Sequence, residues 1–167
     1  MLVYLEKAFL PSIFALSFAT VLAKPSYPPQ MPDAGEFTYK KASQAGLKLW
    51  VFQSEKQTKG EKRPAIVFFF GGGWKGGTPA QFEKQCQYLA SRGMVAITAD
   101  YRVSSRHQTK ATACVEDGKS AVRWIRQNAS KLGIDRNKVA AGGGSAGGHV
   151  AAAIATIDGF ESQGEDL

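Results

Sequence analysis

Gly143-Gly144-Ser145-Ala146-Gly147 sets one hydroxyl among residues with almost no side chains. A serine hydroxyl is a poor nucleophile until a base takes its proton and a turn exposes its oxygen. The G-x-S-x-G spacing suits a serine on a very tight strand-to-helix turn. Residues two before and two after the serine must lack bulk, or strand and helix would collide. Gly143 and Gly147 supply that clearance. With 18 glycines among 167 residues, the pentapeptide alone is a weak signal. Its surroundings strengthen it: a short apolar run from Val139 precedes it, and helix-forming alanines continue to Ala153. The competing reading is a glycine turn carrying an inert serine, and the context favours the nucleophile.

The turn needs a scaffold, and the chain supplies alternating elements. Glu36–Tyr39 and Leu47–Phe52 alternate in polarity as strands, with Gln44-Ala45-Gly46 as the turn of an antiparallel hairpin. Gln53–Arg63 is polar and reads as a surface loop. Pro64–Phe70 is a continuous apolar run, the pattern of a strand buried on both faces. A glycine loop follows, Gly71-Gly72-Gly73-Trp74-Lys75-Gly76-Gly77. Thr78 is placed to cap a helix that starts at Pro79, carries Phe82, Cys86 and Leu89 on its inner face and ends at Gly93. Met94–Ala99 is the next buried strand, closed by Asp100-Tyr101-Arg102, and Val103–Thr109 reads as a polar loop. Thr112–Ala129 has helical spacing, with Val115, Val122, Ile125 and Ala129 on one face. Gly133-Ile134-Asp135 makes the return turn, and Lys138–Gly142 reads as a third buried strand, leading into the serine turn and a helix over 146–157.

Strands and helices in this alternation predict an α/β fold, a mostly parallel sheet with helices on both faces. Sites in such sheets lie at the carboxyl ends of the strands. Both glycine loops, Gly71–Gly73 and Gly142–Gly144, fall at that edge.

The formal charge is +7, but the lysines and arginines are scattered, with no run of them and no interleaved aromatics. That pattern suits a solvated surface rather than a nucleic-acid partner. Ala8–Ala23 is apolar, follows Lys7 and ends in Val21-Leu22-Ala23, which has small residues at the cleavage-type positions. Residues 1–23 therefore read as a secretory signal cut after Ala23, with no stable membrane span afterwards and a secreted or periplasmic product. Residues 24–35 hold four prolines and read as an extended linker, not a core element. Cys86 and Cys114 fall at apolar helical positions, which favours buried thiols over a bridge. No spacing of Cys and His suggests a metal, and no cofactor is expected.

Taken in order, Phe68-Phe69-Phe70-Gly71-Gly72-Gly73-Trp74-Lys75-Gly76-Gly77, Ala99-Asp100-Tyr101-Arg102, Asp117 ahead of Ala121-Val122-Arg123-Trp124, Gly133-Ile134-Asp135 and Gly144-Ser145-Ala146-Gly147-Gly148-His149 resemble the α/β-hydrolase superfamily. Within it they are similar to the esterase/lipase group with an H-G-G-G loop, of the secreted acetyl-xylan and feruloyl esterase type. The resemblance covers about Glu36 to Ala155. It implies that residues 36–167 are the N-terminal part of a hydrolase domain whose C-terminal part is missing. It also implies a serine carboxylic-ester hydrolase that forms an acyl-enzyme on Ser145, with small-molecule or carbohydrate esters as substrates. The backbone amides of Gly72, Gly73 and Ala146 would form the oxyanion hole.

Two departures from the family pattern follow. The histidine before the three glycines is Phe70 here. The acid and then the histidine that should come after the serine have no evident counterparts. His149 lies one turn along the serine's own helix and is expected to point away from the substrate. His107 precedes the serine in the polar loop, and Asp158, Glu161, Glu165 and Asp166 follow the helix too soon. The chain is therefore expected to be an incomplete fragment, inactive alone. Asp100, Arg102 and Asp117 match family positions and read as ion pairs or caps that hold the loops. Trp74 either walls the acyl pocket or packs. Other readings stay open: a non-catalytic binding protein on a hydrolase scaffold, or a serine peptidase or acyltransferase of the same fold.

Overall fold

Side chains that alternate along a strand leave by opposite faces, and here both faces are covered. The computed structural model describes residues 26–42 and 45–161; the apolar Ala8–Ala23 segment and Gln44 of the hairpin turn lie outside these. The strands are β1 (Gly35–Ala42), β2 (Ala45–Phe52), β3 (Arg63–Phe69), β4 (Val95–Ala99) and β5 (Ile134–Gly143). They form one sheet in the order β1-β2-β4-β3-β5. β1 and β2 pair antiparallel, and β2 runs antiparallel to β4. β4, β3 and β5 are parallel, with Val67 of β3 level with Ile97 on one side and Ala141 on the other.

Helix α1 (Glu83–Ser91) covers one face, following a single 3-10 turn at Pro79–Phe82. Its Cys86 and Ala90 pack with Trp50, Phe52 and Ala96. Thr78 caps the 3-10 turn, as its position before Pro79 predicts, with its Oγ1 accepting from Ala80 N at 3.5 Å. Helices α3 (Ala111–Gln127) and α4 (Ala146–Thr156) cover the opposite face. There Cys114, Ala121, Ile125, Val150 and Ala151 meet Leu49, Val51, Val67, Phe69, Val95 and Ile97, all buried. The expected α/β architecture with helices on both faces is present.

Three local expectations differ from what is found. Lys138–Gly142 was expected to be buried, but β5 is an edge strand. It pairs with β3 alone among the described residues, and most of its residues from Arg136 to Ala141 are exposed. Small apolar residues read alike whether a neighbouring strand is present or not. The 24–35 segment is not a free linker where it is described. It straps across the domain: Met31 is buried among Trp50, Phe52 and Cys86, and Asp33 accepts a hydrogen bond from Gln87 at 3.0 Å. One apolar residue among prolines has no periodicity to betray it. Finally, the 103–109 stretch contains a one-turn helix, α2 (Ser104–His107), too short for a sequence period to reveal.

Candidate active site

Ser145 stands between the end of β5 and the start of α4, with φ 48° and ψ −115°. A non-glycine residue rarely takes a positive φ, and such strain persists only where the surroundings enforce it. The enforcement is steric. A Cβ on Gly143 would lie 2.4 Å from the Gly147 carbonyl carbon, and one on Gly147 would lie 2.0 Å from the Phe69 oxygen. The two glycines thus let the turn press against the end of β3, as the spacing predicts. Gly144 N donates to Phe69 O at 3.3 Å and Gly147 N to Gly144 O at 2.8 Å, which closes the turn. Ser145 itself is exposed.

The first glycine loop lies directly beside this turn. A Cβ on Gly71 would come 2.8 Å from Gly144 O and 3.5 Å from Ser145 Cβ. The loop curls on itself, with Lys75 N and Gly76 N both donating to Gly72 O, at 3.1 and 3.2 Å. Gly71 N is held by Gln81 Oε1 at 2.6 Å. The amides of Gly72, Gly73 and Ala146 donate to no described residue. The fold therefore brings the three amides that the resemblance implies as donors to the same sheet edge as the serine.

The fold agrees with the relationships of the chain to known proteins. Residues 52–166 match the BD-FAE family. The chain belongs to that family. This BD-FAE chain is 52% identical to a thermophilic esterase from Thermogutta terrifontis, with a TM-score of 0.82 over 84% of this chain and 50% of that one. The same enzyme phosphorylated by paraoxon aligns over 86% of this chain and 55% of that chain, at 51% identity and the same TM-score. Carboxylesterase NlhH of Mycobacterium tuberculosis is 32% identical over 56% of this chain and 29% of its own length. Esterase LipC of the same species is 40% identical over 53% of this chain and 22% of its own. The fold is that of the α/β-hydrolase esterases. The chain spans about half the length of these solved esterases and under a third of the two curated relatives.

In this BD-FAE chain neither histidine hydrogen-bonds to Ser145 Oγ among the described residues. His149 N bonds to Ser145 O at 3.0 Å, a helical contact. Its ring is exposed and stands edge-on to Trp74 at 5.4 Å, so it faces the glycine loop rather than turning from it. Trp74 packs against the core cluster. His107 Nδ1 accepts from Val103 N at 3.0 Å and is thereby committed within α2. Ser145 Oγ bonds to no described residue. Among the described residues no group of three or more His, Cys, Asp or Glu could hold a metal ion, and no helix is long and apolar enough to cross a membrane.

The expected ion pairs are present. Asp117, its side chain fully buried, accepts from Arg102 Nε at 2.8 Å, Arg102 Nη2 at 2.9 Å and Arg102 N at 2.9 Å, and pairs with Lys40 at 2.9 Å. These bonds hold the Arg102 pKa above its ordinary range. They pin the end of β4 to α3. Asp100 is buried, which raises its carboxyl pKa against the opposing pull of Tyr27, Arg106 and the Tyr101 amide. The two thiols lie on opposite faces of the sheet, in different clusters. Sequence reasoning missed Gln81, Tyr27 and Arg106, which reach the glycine loop or its neighbours from outside any motif. Only chain folding makes their contacts.

Proposed function

We propose that the chain carries the nucleophile and oxyanion hole of a serine carboxylic-ester hydrolase. The observation that carries this reading is the strained, exposed Ser145 turn with the Gly71 loop packed against it. Ser145 Oγ attacks the ester carbonyl carbon, the alcohol leaves, and water then releases the acid from the acyl-enzyme. As the carbonyl oxygen gains charge, the amides of Gly72, Gly73 and Ala146 receive it. Ala146 N also opens α4, whose positive end favours an anion. No cofactor enters this chemistry. Carbohydrate acetyl or feruloyl esters are the proposed substrates, on the strength of the family resemblance. The Ala8–Ala23 stretch supports export and cleavage after Ala23.

The test uses the full-length protein with p-nitrophenyl acetate, acetyl-xylan and methyl ferulate. Ser145→Ala should remove nearly all turnover, leaving the small residual typical of nucleophile deletions. Mutant turnover within tenfold of the parent would refute the assignment. A folded parent with no ester turnover and no labelling by a fluorophosphonate would favour a binding protein on this scaffold.

A further inference from the structure

The glycine loop lacks the family's histidine, yet it is gripped. Phe70 is fully buried and stacks on Tyr101, with ring centroids 4.1 Å apart and planes at 14°. Tyr101 Oη donates to Phe70 O at 2.5 Å. Arg106 reaches the same ring, its guanidinium carbon 5.9 Å from the Phe70 centroid and 3.8 Å from that of Tyr27. Its Nη1 donates to Gly77 O, the far end of the loop, at 2.9 Å. Its Nη2 donates to Tyr27 Oη at 3.0 Å and lies 3.9 Å from Asp100 Oδ1, to which Tyr27 Oη also donates. Arg106 Nε is buried without a hydrogen-bond partner among the described residues, so the head group is held by its Nη atoms and the aromatic faces. The rest of α2 adds Ser104 N to Trp74 O at 3.0 Å and Ser105 N to Lys75 O at 3.1 Å.

Arg106 therefore ties three parts together: the loop exit at Gly77, the aromatic pair at the loop entry, and the strap at Tyr27. A guanidinium suits this place because it is planar, always charged, and can stack on rings while donating in its own plane. Arg102, by contrast, bonds to α3 and holds the framework. We propose that Arg106, seated on Tyr27 of the N-terminal strap, is the positioning residue that holds the Gly71–Gly77 loop in register with Ser145. It does so by stacking on the aromatic rings and by its bond to Gly77. The proposal rests on the esterase reading for its rate effects and on loop geometry for the rest.

The experiment compares the full-length parent with Arg106→Ala, Arg106→Lys, Tyr27→Ala and Tyr27→Phe. It reads kcat and KM for p-nitrophenyl acetate, the paraoxon inactivation rate, the thermal midpoint, and amide exchange over residues 71–77. Arg106→Ala should lower kcat and the paraoxon rate by about tenfold to a hundredfold, since small misplacements of oxyanion donors act on the transition state. KM should stay within about threefold of the parent. Exchange of the hydrogen-bonded loop amides, those of Gly71, Lys75 and Gly76, should speed by about tenfold or more, with Val67 and Ile97 of the sheet unchanged. Arg106→Lys keeps the charge but not the plane and should recover part of the rate. Tyr27→Ala should resemble Arg106→Ala, the two together costing less than their product because they act as one unit. Tyr27→Phe keeps the ring and should fall between. A parent without Ser145-dependent turnover defeats the esterase reading, and amide exchange then decides the clamp alone. Unaltered loop exchange in Arg106→Ala overturns the clamp, as does unaltered kcat in a Ser145-dependent parent. If Arg106→Ala does not fold, the same comparisons on Arg106→Lys and Tyr27→Ala decide it.

Discussion

Gly147 and Gly148 are adjacent, and the structure assigns alanine opposite effects at the two. At Gly147 the new Cβ would stand 2.0 Å from Phe69 O, 2.5 Å from Phe69 C and 2.5 Å from Phe70 O. Real Cβ contacts seldom fall below 3.4 Å, so the closest approach is short by about 1.4 Å. The obstacle is the end of β3, a strand paired on both sides, so it cannot recoil without stretching two ladders. Overpacking costs about 1–3 kcal/mol when side chains can yield. Here backbone must yield, so Gly147→Ala should cost about 3 kcal/mol or more, over a hundredfold in the folding equilibrium. At Gly148 the nearest atom is Gly143 O at 3.2 Å, with the next at 3.8 Å. A shift of a few tenths of an ångström clears it, and alanine gains up to about 1 kcal/mol over glycine in a helix. Gly148→Ala should therefore lie between neutral and about 1 kcal/mol stabilising. Urea unfolding followed by circular dichroism, with equal m-values, reads both. A loss under about 1 kcal/mol for Gly147→Ala, or a loss above that for Gly148→Ala, would refute the steric account of the turn.

Arg102→Ala removes the main counter-charge of the fully buried Asp117 side chain but leaves Lys40 paired to it. The expected cost is about 2–3 kcal/mol, below the ~3–5 kcal/mol of a wholly uncompensated buried charge, and a change under 1 kcal/mol in urea unfolding would contradict the pairing. Burial pushes the Cys86 thiol up to about 12 and Cys114 to about 11. Because the thiolate is the reactive form, native protein at pH 8 should give no fast reaction with Ellman's reagent, and both thiols should react in denaturant; fast native labelling would show that one of them is accessible.

Much of the site was legible because its constraints are local. The tight turn demands small residues two places either side of Ser145, and Gly143 and Gly147 meet that demand in any context. The run Pro64–Phe70 and the short Met94–Ala99 segment announced central strands because a parallel strand is apolar on both faces. Thr78 before Pro79 announced a cap because its hydroxyl can accept from the first turn and proline's fixed φ suits a helix start. Arg102 and Asp117 were singled out by position, but their bonds to each other became visible only in space. Three matters were decided by tertiary structure. Lys138–Gly142 reads as a buried strand, but its burial depends on what lies along its outer edge, a fact that no residue within it encodes. Met31 sits in a proline-rich segment and becomes core because β2 and α1 leave a place for it. Arg106, 79 residues from Tyr27 and 29 from Gly77, meets both because the sheet brings strap, loop and α2 to one edge. Local sterics can be read from neighbouring letters. Partners distant in the chain cannot, because their distance depends on how the whole sheet is assembled.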